Sequence, residues 1–190
     1  EEFIYPDATP ANPDDNPRDV YHYDFNNNVE EVTDAKHTAA NVKYTYDSRD
    51  RMTKVEQLAE QSPDRFIATN YGYDIQSNLT SVTDANGNVT TYVVDDFGQT
   101  LRVTSPVTGT TTNRYDLGSN LTQTTDSRGV EVGRSYDALG RMILEHVVTP
   151  STDRDAANDP DYVYTYDQVT SSFGIGRLTK IEDSSGARTY

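Results

Sequence analysis

Aromatic or apolar residues alternate with polar ones in short runs along most of the chain, as in Tyr44-Thr45-Tyr46, Tyr71-Gly72-Tyr73 and Tyr164-Thr165-Tyr166. Period two places alternate side chains on one face of a strand, so these runs predict half-exposed β-strands. Between them stand Asp, Asn, Gly and Ser, residues that tolerate turn geometry and hydrogen-bond their own backbone.

The runs are copies of one unit. A Tyr-Asp pair or its relic recurs at Asp24, Asp47, Asp74, Asp95, Asp116, Asp137 and Asp167, with spacings of 23, 27, 21, 21, 21 and 30 residues. The basic unit is therefore 21 residues, and the longer gaps are insertions. Tyr23, Tyr46, Tyr73, Tyr115, Tyr136 and Tyr166 stand directly before the Asp, with Val94 as the exception, and Tyr21, Tyr44, Tyr71, Tyr92 and Tyr164 stand three positions before it.

After each Asp the pattern reads as a turn and a returning strand. Three residues on come Asn27, Asp50, Ser77, Gly98, Ser119 and Gly140, followed by Asn28, Arg51, Asn78, Gln99, Asn120 and Arg141. The Asp can accept backbone N–H bonds across this turn. Five residues past it an apolar residue returns at Val29, Met52, Leu79, Leu121 and Met142, with Thr100 as the weak member. Asp84-Ala85-Asn86-Gly87-Asn88 and Asp126-Ser127-Arg128-Gly129 predict the opposite reversal, so each unit is two short strands and two turns. Residues 1–20 read as the end of a preceding unit plus a Pro/Asp-rich loop, and residues 21–190 as about seven repeats in one array continuing beyond both ends. The segments Gln57 to Arg65, Thr149 to Asp161 and Pro6 to Asp19 read as exposed loops inserted at one equivalent connection, and Asp167 to Ile175 as an enlarged turn before Gly176-Arg177-Leu178 restores the pattern.

Composition sharpens this picture. The formal charge is −15, which together with few aliphatics would suggest disorder, but 14 tyrosines can build β-structure in their place. A wide sheet this poor in aliphatics predicts a thin wall, not a thick two-layer core. Thirty-one acidic against 16 basic residues argue against a nucleic-acid partner, and the absence of a long apolar run argues against membrane insertion by this segment. With 0 Cys there is neither a disulfide framework nor a thiolate metal site.

The in-register carboxylates first suggest catalysis or metal binding. Acid–base pairs need two acids in unlike environments, whereas these are equivalent members of a repeat, which favours a turn-fastening role. Asp84 to Asp95 has an acid at loop position twelve, but Val89 occupies position six, where a calcium loop needs Gly. His22, His37 and His146 lack ligand spacing. The residues thus point to no catalytic group, cofactor or metal. The residues taken to define the repeat structurally are the six Tyr-Asp pairs named above, Asp95, Gly140, Arg141, Gly176 and Arg177. The tyrosine rows could instead form a platform for glycans, although packing between hairpins is the simpler use of them.

Tyr44-Thr45-Tyr46-Asp47-Ser48-Arg49-Asp50-Arg51-Met52, Ser135-Tyr136-Asp137-Ala138-Leu139-Gly140-Arg141-Met142 and Gly174-Ile175-Gly176-Arg177-Leu178-Thr179 resemble the RHS/YD-repeat family, over roughly residues 20 to 190. The resemblance implies an all-β fold in which tandem β-hairpins form a continuous curved, spiralling antiparallel sheet, a segment of a shell. It further implies a secreted or surface location, flanking repeats as partners, an enclosed C-terminal toxin domain in bacterial members and an adhesive role in the animal teneurins. Seven units are too few to close a shell. The family's self-cleaving Asp-Pro-x-x-Gly-type signature is also missing, since Asp159-Pro160 lacks the glycine.

Overall fold

The computed structural model describes residues 2–4, 18–61, 64–147, 161–167, 175–183 and 185–190. The secondary structure assigned to these residues is strand and turn. The strands are β1 (Glu2–Ile4), β2 (Arg18–Tyr23), β3 (Val29–Thr33), β4 (Val42–Tyr46), β5 (Met52–Gln61), β6 (Asp64–Tyr73), β7 (Leu79–Thr83), β8 (Val89–Val94), β9 (Thr100–Ser105), β10 (Gly109–Tyr115), β11 (Leu121–Thr125), β12 (Glu131–Tyr136), β13 (Met142–Val147), β14 (Tyr162–Tyr166), β15 (Leu178–Asp183) and β16 (Gly186–Thr189).

The chain forms two compact units, Glu1–Thr91 and Tyr92–Tyr190. In the first, β1 to β7 pair antiparallel in chain order, and β7 pairs with the start of β8 through Ser81↔Thr91, Val82↔Thr90 and Thr83↔Val89. In the second, β9 to β16 pair in the same sequential way. Each unit is therefore an up-and-down hairpin array whose reversals alternate between two edges. One edge carries the Tyr-Asp turns.

No apolar side chain among the described residues is buried, and the only buried polar one is Thr179, at 5% exposure. The wall is one layer thick within each unit, as the shortage of aliphatics predicts. Its two faces differ. In β10, half-buried Thr111, Asn113 and Tyr115 alternate with exposed Thr110, Thr112 and Arg114. Side chains on the tyrosine face are shielded by cross-strand neighbours, such as Tyr21 opposite Val32, Tyr44 opposite Val55 and Tyr71 opposite Val82.

One expectation fails. Gln57 to Arg65 is not a loop, because β5 continues to Gln61 and β6 starts at Asp64, giving the longest hairpin among the described residues. The Leu58↔Phe66 and Gln57↔Ile67 pairs extend the ladder across a bulge, and an Arg65–Glu60 ion pair of 3.0 Å closes it. Of the polar residues counted as loop, Gln57, Glu60 and Arg65 are exposed residues of these two strands. The other two insertions lie almost wholly outside the described residues, as do positions 168–174 of the enlarged turn.

Candidate functional site

The Tyr-Asp turn is the recurring constellation. Its backbone is a three-residue loop with a left-handed third residue. The Asp N–H donates to the carbonyl four residues on, and the N–H of the third residue donates back to the Asp carbonyl, as in Asp137 N to Arg141 O (2.9 Å) and Gly140 N to Asp137 O (2.9 Å). That third residue has positive φ at Asn27 (68°), Asp50 (58°), Ser77 (73°), Gly98 (78°), Ser119 (65°) and Gly140 (73°). The Gly, Asx and Ser types found there are those that bear this conformation at least cost.

The Asp side chain locks the loop. Oδ1 of Asp137 accepts from Leu139 N (2.9 Å) and Arg141 N (3.0 Å), and Oδ2 from Arg141 Nε (2.7 Å). Asp24, Asp47, Asp74 and Asp116 repeat this arrangement, their second oxygen or its partner meeting the side chain of Asn28, Arg51, Asn78 or Asn120. Asp95 accepts the same two backbone N–H groups, from Phe97 and Gln99. Asp167 accepts from Gly176 N (2.6 Å) across its enlarged loop, and the Asp167 N–H donates to the carbonyl of Arg177. These donors favour the ionised carboxyl: the Arg51 side chain, first among them, holds Asp47 down to about 2, and Asp24, Asp74, Asp116, Asp137 and Asp167 are likewise lowered.

The tyrosine before the Asp has a separate task. A bulge in the ladder immediately precedes Tyr23, Tyr46, Tyr73, Tyr115, Tyr136 and Tyr166, setting each opposite the residue five past its Asp, or Leu178 in the enlarged unit. The phenol then points to the preceding hairpin and donates to the carbonyl at that hairpin's own fifth position. The links are Tyr46 to Val29 (2.9 Å), Tyr73 to Met52 (2.8 Å), Tyr115 to Thr100 (3.2 Å), Tyr136 to Leu121 (2.8 Å) and Tyr166 to Met142 (3.0 Å). Val94 has no hydroxyl to do this. Thr53, Thr122 and Thr179, each the extra residue of a bulge, turn their hydroxyls onto the carbonyls of Thr45, Arg114 and Thr165.

Neighbouring turns are also tied along the edge. Arg51 stacks on Tyr73 (4.8 Å to the ring centroid) and reaches Asp74 O (2.8 Å), while Arg141 stacks on Tyr166 (4.4 Å) and pairs with Asp167 (2.8 Å) as well as its own Asp137. Asn26 and Asn28 both donate to Asp50 Oδ1, and Gln99 donates to Ser119 Oγ (2.7 Å). At Asn28, Arg51 and Arg141, position four past the Asp both closes its own loop and reaches the next.

The hydrogen bonds of the constellation join it to its own hairpin and to the neighbouring ones. Each clamping carboxylate is engaged by donors of its own or the next turn, and no group of three or more His, Asp or Glu able to hold a metal occurs among the described residues. Two of its features are not evident from composition or periodicity. One is the phenol-to-carbonyl link. The other is a matched pair spanning each hairpin: where Tyr stands three before the Asp its opposite residue is Val32, Val55, Val82 or Ile181, but where Asn113 or Arg134 stands there the opposite residue is Thr124 or Glu145. Aligning the repeats with one another exposes that exchange.

This geometry defines a tandem β-hairpin protein of the Tyr-Asp repeat type. Solved structures of Tc-toxin chains share its fold: a TcdB2-TccC3 structure without its hypervariable C-terminal region matches 93% of the chain at 18% identity with a TM-score of 0.69, and TcdB2-TccC3 itself matches 86% at 16% identity with a TM-score of 0.60. The Photorhabdus luminescens Tc holotoxin pore matches 86% at 15% identity with a TM-score of 0.61. The resemblance to the RHS/YD-repeat family holds at the level of fold. The chain spans 10% of the length of each of these solved chains. No protein-family model and no curated protein matches it.

Proposed function

We propose that this chain is a non-enzymatic wall segment of a longer RHS/YD-repeat polypeptide, secreted or displayed at a surface, whose complete shell encloses or presents a C-terminal toxin or effector domain. The observation that carries the reading is how the repeat spends its chemical groups. Asp closes its own hairpin, Tyr fastens that hairpin to the one before, and Arg ties successive turns, so the repeated polar groups serve continuity of the sheet. Containment needs just this property, since a wall whose hairpins are stitched to their neighbours resists local opening. The fold likeness to Tc-toxin chains, one of them solved without its hypervariable C-terminal region, supports the same reading.

The test uses the full-length polypeptide. A C-terminal fragment that is cleaved yet stays bound until denaturant is added is the expected result. A polypeptide with no retained fragment overturns the enclosing role. A glycan-holding module is favoured by one feature, an open depression of 430 Å³ lined by Tyr162, Ile181, Asp183, Arg188 and Tyr190 among others. Glycan retention abolished by Tyr162→Ala without loss of folding would establish that alternative.

A further inference from the structure

Asn86-Gly87 is the one Asn-Gly pair in the sequence, and it forms the tip of the 84–88 turn, on the edge opposite the Tyr-Asp loops. Both residues are exposed. Gly87 has φ 83°, and a Cβ built on it would meet nothing within 4 Å, so the space beside its backbone is open. Asn26 holds the matching place in the 24–28 loop, but the residue after it, Asn27, carries a side chain, and the Asn26 amide already donates to Asp50 Oδ1 (2.8 Å). The amides of Asn28, Asn78, Asn88 and Asn120 are bound to the aspartate of their own turn. That of Asn86 has no hydrogen-bond partner among the described residues.

We propose that Asn86 is a site of spontaneous modification, converted through a cyclic imide to aspartate and isoaspartate at a rate set by the Asp84 clamp. The Gly87 amide nitrogen gives its proton to solvent base and attacks Asn86 Cγ. A C–N bond forms there as the Cγ–Nδ2 bond breaks, and ammonia leaves. Water then opens the imide at either carbonyl, restoring the ordinary backbone as aspartate or routing it through the side chain as isoaspartate. In the closed turn the Gly87 N–H donates to Asp84 O (3.0 Å), and Asp84 Oδ1 accepts from Asn86 N (2.9 Å) and Asn88 N (2.8 Å). The attacking nitrogen is free only when the turn opens, so the same carboxylate that shapes the hairpin holds the reaction back. The product acts on the wall in turn. Isoaspartate adds one carbon to the backbone of a three-residue loop, and either product sets a second carboxylate near that of Asp84. The ladder above the turn is short, Ser81↔Thr91, Val82↔Thr90 and Thr83↔Val89, so the conversion loosens the β7–β8 hairpin at the end of the first unit.

The full-length polypeptide tests this when it is held in mildly alkaline buffer, digested at intervals and mapped by peptide fragmentation. Asn86 should turn to acid faster than Asn26, Asn78 or Asn120, in two chromatographic forms, one of which accepts a methyl group from an isoaspartyl methyltransferase. Asp84→Ala removes the clamp and should speed the conversion about tenfold. Ala85→Pro occupies the first central position of the Asp84–Gly87 reverse turn, where proline is favoured, and should slow it about threefold by keeping the turn closed. Because this second variant stiffens the hairpin, it reads the gate without risk of unfolding the chain. Conversion at Asn86 no faster than at Asn26, or a rate that neither variant changes, overturns the proposal.

Discussion

The two edges of each hairpin array share an Asp-led loop at some of their turns but obey different rules. On the Tyr-Asp edge, the loops 24–28, 47–51 and 74–78 of the first unit, and 95–99, 116–120 and 137–141 of the second, have one length, while the loop after Asp167 is enlarged and closes on Arg177. On the other edge the first unit turns through 34–41, 61–64 and 84–88, and the second through 105–109 and 126–130, so lengths vary even where Asp84 and Asp126 make the same clamp. The difference lies in what crosses between hairpins. A phenol that must reach the fifth-position carbonyl of the preceding hairpin tolerates no slip in register, and it acts only beside the Tyr-Asp edge. A loop on that edge can lengthen only if the register survives, as it does after Asp167, where Tyr166 still faces Leu178 and still donates to Met142 O.

Acid is expected to produce the largest effect, and it should not distinguish the edges. Asp47 and Asp137 on one edge and Asp84 and Asp126 on the other all have carboxyls lowered by the donors of their own turns. A folded pKa below the unfolded one means that protonation favours the unfolded chain, so the stabilisation is complete above the unfolded value of about 4. It is lost as pH falls towards about 2, the value at Asp47. Urea midpoints should therefore be flat from about pH 7 to 5 and collapse between about pH 4 and 2. Collapse already at pH 5 to 6 would show that histidines, not turn aspartates, govern acid stability.

Single substitutions should then separate the edges. Asp137→Ala removes the acceptor of three hydrogen bonds and frees Arg141, which also serves the next turn, whereas Asp126→Ala disturbs a loop whose partners are all local. Thermal unfolding should fall further for Asp137→Ala, by several degrees in Tm. Equal losses would mean that the ties between turns contribute little and that clamps at both edges are equivalent.

A smaller effect isolates the phenol. Tyr136→Phe keeps the ring and deletes the donor to Leu121 O, with an expected cost of about 1 kcal/mol in chemical denaturation. Tyr71, three before its Asp, has no such hydroxyl link and serves as packing opposite Val82, so Tyr71→Phe should be neutral within about 0.5 kcal/mol. Similar costs at both positions would remove the distinction between a stitching and a packing tyrosine.

Much of this arrangement is legible in the sequence because the repeat supplies its own comparison set. Residues three past the Asp betray a left-handed backbone by being Gly, Asn, Asp or Ser, and the period-two tyrosines betray one shared face. What escapes is anything that depends on a neighbour in space. Nothing in Tyr136 itself says that its hydroxyl serves Leu121, because the bulge that aims it arises from pairing and not from local propensity. The Gln57 to Arg65 segment misleads for a related reason: its polar residues mimic a loop until Phe66 and Ile67 are seen facing Leu58 and Gln57.

The finest contrast lies between two adjacent turns of the second unit. Asn120 spends its amide on its own Asp116, whereas Arg141 holds Asp137, pairs with Asp167 and stacks on Tyr166. Arg141→Lys keeps the charge but loses the planar fork that serves two carboxylates at once, so the link to the next turn should weaken while the loop stays closed. The expected loss is the smallest of the series, a degree or two in Tm, and it should shrink further in high salt because the pair is partly exposed. Asn120→Ala should show no such salt dependence. If Arg141→Lys matches the wild-type chain at low salt, the arginine bridge is an ornament of the edge and the tyrosine links alone join these hairpins.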